Sequence, residues 1–393
     1  MDPDDACYSA VSFSPKKLNS STSMLSNDTP LAGTPDMSEP PQTVPSPADR
    51  LESRRFVRIP DLFSSIMARK PVVNPNYFQV KAEGDSWIAQ IMRWDEETRT
   101  KYVQVDFCYI SSIWVTTCDD EALRLTLDWQ YWVFLFDDQF DEGHLRDDPV
   151  AAQEEVNATM AIMTDDQPLI QPDQNPIRHI FQTCWRRIKK RASPELQQRY
   201  REQYKRYFDQ LVVQVERVAH GEALTINAQT YIEMRSGTIG LYPALIVCQF
   251  AENIKIPGSV FSHSSIQECM RLSAELCVLV NDVVSYRKEL VRDVYRELGV
   301  DYNLISILGD KGLSVQQSMD ELGVMVNNCY RRWYTALAEL PSFGEEIDRE
   351  VLKFVDICAL VPLGNLHWSF MTARYFGAEG HEVSKTRILY LPD

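Results

Sequence analysis

Asn281-Asp282-Val283-Val284-Ser285-Tyr286-Arg287-Lys288-Glu289 follows an apolar run, Leu276 to Val280, and places an oxygen-bearing side chain at every fourth position. Positions four apart share one face of a helix, so the amide of Asn281, the hydroxyl of Ser285 and the carboxylate of Glu289 form one stripe. The stripe climbs roughly 12 Å at 1.5 Å per residue, and helical side chains lean toward the N-terminus, so Glu289 reaches back along it. All three donors are hard oxygens, which suit Mg²⁺ rather than Zn²⁺. Lys288 adds a cation that would meet an anionic partner of the metal. Taken alone, three polar residues at this spacing read more readily as the polar face of a surface helix. A second cluster upstream overturns that reading.

The second cluster is Phe134-Leu135-Phe136-Asp137-Asp138-Gln139-Phe140-Asp141-Glu142-Gly143, which closes an apolar helix predicted over Glu121–Phe136. Asp137 and Asp141 share a face, with Asp138 alongside. Carboxylates at a helix C-terminus oppose the helix dipole, and a sequence accepts such a conflict most readily where a cation is bound. An acidic surface loop is the plain alternative. The run Trp132–Phe136 speaks against it, because it sets the acids at the mouth of a greasy interior.

The chain has 393 residues, 44% of them hydrophobic, and a net charge of −16. That length suits one large domain or two ordinary ones. The charge argues against a nucleic-acid partner and makes an anionic substrate awkward unless metal ions screen the site. Apolar runs such as Leu241–Cys248 are too short for a membrane span, and the opening Met-Asp-Pro-Asp-Asp has no signal-like region. Nine scattered cysteines without a CxxC pair read as reduced thiols of an intracellular, cytoplasmic protein.

Residues 1–54 are rich in Ser, Thr, Pro and Asp, so a disordered tail is expected there. Order is expected from Phe56, with a short helix at Asp61–Ala68 and a loop at Pro71–Tyr77. Beyond the loop the pattern is helical, with helices at Glu121–Phe136, Pro176–Lys190, Ser264–Leu290, Ser314–Leu340, Glu345–Leu360 and Asn365–Tyr375. Ser193-Pro194 offers a cap and a first-turn proline to a helix that carries Tyr200, Tyr204, Tyr207 and Phe208 and stops at His220-Gly221. Asn227 caps the next helix, which Gly237, Gly240 and Pro243 break. No strand alternation, repeat or linker interrupts 55–393. This is an all-α chain with one domain.

An aspartate-rich motif followed about 140 residues later by an Asn/Ser/Glu triplet, both in helices, resembles the class I terpene synthases, and the resemblance spans 55–393. Arg235 stands 46 residues before Asn281, where that family places a diphosphate-sensing arginine. Gly364-Asn365 and Trp368 precede Arg374-Tyr375, which is similar to the family's late Arg-Tyr pair. Phe134 stands where the family often has an aromatic lining the cavity. Lys70–Tyr77, Val133–Leu145 and Cys329–Tyr334 resemble fungal sesquiterpene cyclases of the presilphiperfolan-8β-ol synthase type.

The resemblance implies a single helical bundle with a central active-site cavity, farnesyl diphosphate as substrate and three Mg²⁺ ions. Asp137, with Asp138 and Asp141, would hold two ions, and Asn281, Ser285 and Glu289 the third. Arg235, Lys288, Arg374 and Tyr375 would contact the diphosphate. Phe134, Trp114, Tyr207 and Trp368 would face the carbocations, although aromatic residues at helical spacing are also plain core. Ile239, at the helix break, would offer its carbonyl. The implied reaction is cyclisation to a tricyclic alcohol through a caryophyllenyl-type cation, or to koraiol or a hydrocarbon, by a monomer or homodimer. A chain-elongating prenyl diphosphate synthase would need a second Asp-rich motif in place of the triplet. A helical binding protein that had lost catalysis would lack a principal ligand, and none is missing. Two departures stand out: Ser236 follows Arg235 where relatives often carry a second arginine, and 291–296 reads as a short insertion.

Overall fold

Two short strands join the ends of the helical region: β1 (Phe56–Arg58) pairs antiparallel with β2 (Ile388–Tyr390), with Val57 opposite Leu389. The computed structural model describes residues 55–141, 143–164, 167–221, 227–291 and 303–392. The expected tail at 1–54 and residues 292–296 of the apparent insertion lie outside the described residues. The sequence pattern predicts no strand, because three residues are too few to display an alternation. The side chain of Gln316 extends the ladder, donating to the carbonyl of Arg58 (3.0 Å) and accepting from its N–H (2.8 Å).

Between the strands the chain is helical. The first helices are α1 (Tyr77–Met92), α2 (Glu96–Val105), α3 (Phe107–Trp114), α4 (Asp120–Asp141), α5 (Pro149–Thr164) and α6 (Pro176–Arg191). They are followed by α7 (Pro194–Ala219), α8 (Ala228–Thr238), α9 (Leu241–Ala251), α10 (Gly258–Phe261) and α11 (Ser264–Val291). The last are α12 (Leu304–Asp310), α13 (Val315–Ala338), α14 (Glu345–Met371) and α15 (Gly380–Thr386). The expected caps form. Ser193 Oγ accepts from Leu196 N at 3.2 Å, and Asn227 Oδ1 accepts from Thr230 N at 2.9 Å. Each satisfies an N–H that the first helical turn leaves open.

Three expectations need correction. Asp61–Ala68 is not a helix but a single 3₁₀ turn at Ser65–Ala68. α4 ends at Asp141 rather than at the expected Phe136, so its last turns carry the acids on the shared face expected of them. The two helices expected on either side of Pro362 are one, α14. An interior proline removes one helical hydrogen bond, but here the helix is gripped: Val361 and Leu363 are buried, and the Trp114 indole donates to Val361 O at 3.0 Å. The expected break between α8 and α9 is present, with Gly240 at φ +70°.

α11 packs against α13 and α14, α14 against α3, and α9 against α4, α7, α11 and α14. The eight described cysteines are all free and buried. Among the described residues only α14 is long and apolar enough to cross a membrane, and two thirds of its apolar window is buried in the bundle, as befits a core helix.

Candidate active site

α3, α4, α11, α14 and the α8–α9 break surround one cavity. Trp114, Phe134, Asp137, Asp138, Asp141, Arg235, Ile239, Asn281, Ser285, Lys288, Glu289, Trp368, Arg374 and Tyr375 all line it. Of the residues singled out in the sequence, Tyr207 alone is not part of that wall. It sits on α7 behind α4, fully buried, and donates its phenol hydrogen to Asp137 Oδ1 at 2.7 Å. It stands behind the Asp137 carboxylate rather than on the cavity wall.

Two turns along α7, Gln214 Nε2 donates to Asp141 Oδ1 at 3.1 Å. α7 thus steers both members of the acidic pair. Burial and the neighbouring Asp141 push the Asp137 carboxyl well above the usual carboxylate range, against the relief given by Tyr207 and Arg235. Crowded acids of this kind call for a cation.

The second cluster is held from another direction. Asn303 Nδ2 donates to Glu289 Oε2 at 2.9 Å, to Asp282 O at 2.9 Å and toward Ser285 Oγ at 3.4 Å. Burial raises the Glu289 carboxyl, while Ser285 and Asn303 draw it back by hydrogen bonding. Asp282 lies off the cavity wall, and its carboxylate accepts from Leu304 N at 2.9 Å and Tyr231 OH at 3.2 Å. Burial lifts its pKa to about 7, with Arg235 opposing.

Arg235 is surrounded by acids. Burial works against its charge, but Tyr231, Asp141, Asp282 and Asp137 more than offset this and raise its proton affinity. Among the described residues its Nε is buried without a partner, a donor left over for an anion. The late pair bridges the two clusters: Arg374 lies 3.6 Å from Asp138, and Tyr375 OH accepts from Asn281 Nδ2 at 3.0 Å.

Below the charges the wall is aromatic and apolar. The Phe134 and Trp368 ring centroids are 5.6 Å apart, Phe107 packs behind both, and the Arg374 guanidinium lies 5.1 Å over Phe134. Trp368 Nε1 donates to Val105 O at 2.7 Å. Ile239 sits in the wall at the break, and Pro243, four residues on, lacks the N–H that a helix would donate to its carbonyl.

Among the described residues, no three Cys, His, Asp or Glu side chains converge into a ready-made metal cage. That suits Mg²⁺, which binds through one or two carboxylates and shares the remainder of its shell with water and phosphate oxygens. The donors present are hard oxygens on two helices facing one cavity, and Arg235 Nε is a further buried donor for phosphate. The residues fit the metal.

Residues 128–332 match the family described as "Terpene synthase family 2, C-terminal metal binding". The chain is 42% identical over 338 residues to the (+)-eremophilene synthase of Gibberella fujikuroi, covering 86% of this chain and 93% of that one. The chain belongs to the terpene synthase family. This terpene synthase is also 41% identical over 356 residues to the (1R,4R,5S)-(-)-guaia-6,10(14)-diene synthase of Fusarium mangiferae, covering 88% and 87% of the two chains. It is a lyase of the kind that acts on diphosphates, and its family uses divalent metal. Its fold is similar to that of a crystal structure of a-eudesmol synthase, with a TM-score of 0.68 over 78% of this chain and 98% of that one. At 19% identity that likeness speaks for the class I helical fold alone.

The sequence of this terpene synthase does not single out Gln214 and Asn303, which lie off the cavity wall and hydrogen-bond to the acids that line it. Gln214 lies seven residues after Tyr207 on one face of a helix, a spacing that could have paired them. Asn303 precedes a new helix and reads as an ordinary cap, which it also is, since its Oδ1 accepts from Ile305 N at 2.9 Å.

Proposed function

We propose that the protein is a Mg²⁺-dependent sesquiterpene cyclase that ionises farnesyl diphosphate and closes the C15 cation into a polycyclic product. One observation supports this above the others: two oxygen-donor clusters, the Arg235 guanidinium and an aromatic floor open on the same cavity. Asp137, Asp138 and Asp141 would hold two ions, and Asn281, Ser285 and Glu289 a third, and metal held there would supply Lewis acidity to the departing diphosphate. Arg235, Arg374, Lys288 and Tyr375 bind and orient that group. The apolar floor keeps bulk water from the cation while rings close. Phe134, Trp114 and Trp368 stabilise positive charge by about 0.5–2 kcal/mol each, and the Ile239 carbonyl adds a dipole.

The product assigned is presilphiperfolan-8β-ol, a tricyclic alcohol formed through a caryophyllenyl-type cation. Its support is the resemblance over Lys70–Tyr77, Val133–Leu145 and Cys329–Tyr334. The relatives are named for different skeletons, which favours a second reading in which the same chemistry ends at koraiol or a hydrocarbon. Incubation with farnesyl diphosphate, with and without Mg²⁺, followed by gas chromatography–mass spectrometry tests both. A Mg²⁺-dependent C15 cyclic product is expected, and its skeleton decides between the readings. No C15 product under any metal condition would refute the cyclase.

A further inference from the structure

The cavity floor contains two amides, each with a polar atom that no described residue satisfies. Gln130 is 2% exposed and lines the cavity, and its Oε1 is buried without a hydrogen-bond partner. Asn365 lines the same cavity, with its Nδ2 buried and unpartnered. The same cavity is also lined by the apolar Ile110, Val133, Leu241 and Ala244. A buried polar group without a partner is unfavourable, and an apolar side chain of the same size would fill either position without that penalty.

Helix geometry sets the two amides at one level: the Phe134 and Trp368 rings are in contact, Gln130 precedes Phe134 by four residues, and Asn365 precedes Trp368 by three. α4 and α14 both run toward the charged mouth, where Asp138 lies 3.6 Å from Arg374. Each amide is therefore about one turn, roughly 5 Å, deeper than the aromatic pair. Gln130 is also seven residues before Asp137, or roughly 10 Å below the acids.

We propose that Gln130 and Asn365 hold one water molecule in the floor of the cavity, and that this water captures the last carbocation. An ordered water needs two or more polar partners, and whichever way each amide is turned the pair offers both an acceptor and a donor. The site deepens the cyclase reading and rests on it. Its depth, roughly 10 Å below the acids, keeps it away from the departing diphosphate and from the carbon at the moment of ionisation. The water oxygen forms the new C–O bond with its lone pair, and the resulting oxonium gives up a proton that ends on the released diphosphate. Farnesyl diphosphate plus water thus yields a C15 alcohol plus hydrogen diphosphate, and atoms and charge balance.

The test is turnover of farnesyl diphosphate in ¹⁸O-labelled water by the wild type, Gln130→Met and Asn365→Leu, with products read by mass spectrometry and each protein's Tm measured. The wild type should give mainly an alcohol carrying one ¹⁸O. In each variant the ratio of alcohol to hydrocarbon should fall by about tenfold or more, with Tm unchanged or raised because an unpartnered amide has been removed. A wild type that makes only hydrocarbons would overturn the proposal, as would an alcohol share that neither variant moves. Lowered Tm in both variants, with the share unchanged in whichever folds, would assign the amides to structure and also overturn it. An enzyme with no C15 product at all would refute the cyclase reading instead, a result distinct from an active enzyme that makes no alcohol.

Discussion

At the mouth of the cavity Asp137, Asp141 and Glu289 are each held by a polar side chain from another segment, namely Tyr207, Gln214 and Asn303. One and two turns below, the walls are held by ring packing and by indole-to-carbonyl bonds from Trp114 and Trp368. The mouth is a set of point contacts, where residue type decides the chemistry. The floor is a volume, where the sum of many side chains decides the shape. Damage at the mouth should therefore stop the reaction, whereas damage at the floor should redirect it.

The largest effect is expected at the mouth. Asp137→Asn keeps the shape but removes the charge, and turnover should fall about a thousand-fold, the scale of several kcal/mol of lost transition-state stabilisation. Because burial and Asp141 already disfavour this charge in the fold, the metal-free variant should melt no lower than the wild type. A variant that keeps a tenth of the turnover would remove Asp137 from the metal site.

Next come the residues behind the ligands. Tyr207→Phe and Gln214→Leu should each raise the Mg²⁺ concentration for half-maximal turnover by about 10- to 100-fold, the usual penalty for losing a partner that orients a ligand. The product mixture should stay the same. Tyr207→Phe retains the ring, so a changed product profile at an unchanged Mg²⁺ requirement would put Tyr207 back among the residues that face the cation.

At the floor the readout changes from rate to product. Phe134→Leu removes a ring face worth about 0.5–2 kcal/mol, so competing exits should gain roughly two- to thirty-fold. The mixture should move toward early, less cyclised hydrocarbons. An unchanged profile would take Phe134 out of the cation's path.

The same division explains how much was legible in the sequence. The i, i+4 and i, i+8 spacing of Asn281, Ser285 and Glu289, and of Asp137 and Asp141, is a local property of a helix, and local periodicity survives in sequence. Arg374 and Tyr375 were legible through family resemblance, and the structure adds that they bridge the two clusters. Tyr207 was misplaced because spacing gives the face of a helix but not what that face packs against. Gln130 passed unnoticed although it stands one turn before Phe134, because a lone Gln in an apolar helix has no signal until its burial is known. The β1–β2 ladder and the continuous α14 were hidden for the same reason: both depend on contacts with distant residues, Leu389 and Trp114.

The smallest effect, and the sharpest test of whether the floor is set by volume alone, concerns Gly364. A Cβ built there would fall 2.6 Å from Cδ1 and 2.8 Å from Nε1 of Trp114. The indole cannot retreat freely, since it is 6% exposed, donates to Val361 O and packs with Trp129 at 6.2 Å between ring centroids. Gly364→Ala must therefore displace the indole or spread α3 from α14, an overpacking that costs typically 1–3 kcal/mol and should lower Tm by several degrees. Gly309→Ala is the control: it lies in α12, a Cβ there meets nothing within 4 Å, and Ala in a helix is favoured over Gly. Tm should hold or rise there with no change in product. If Gly364→Ala lowers Tm and also shifts the product mixture, Trp114 is part of the surface that shapes the cation. If Tm falls while the mixture stays fixed, Trp114 is a packing residue, and the product-determining floor narrows to Phe134, Trp368 and the two amides beneath them.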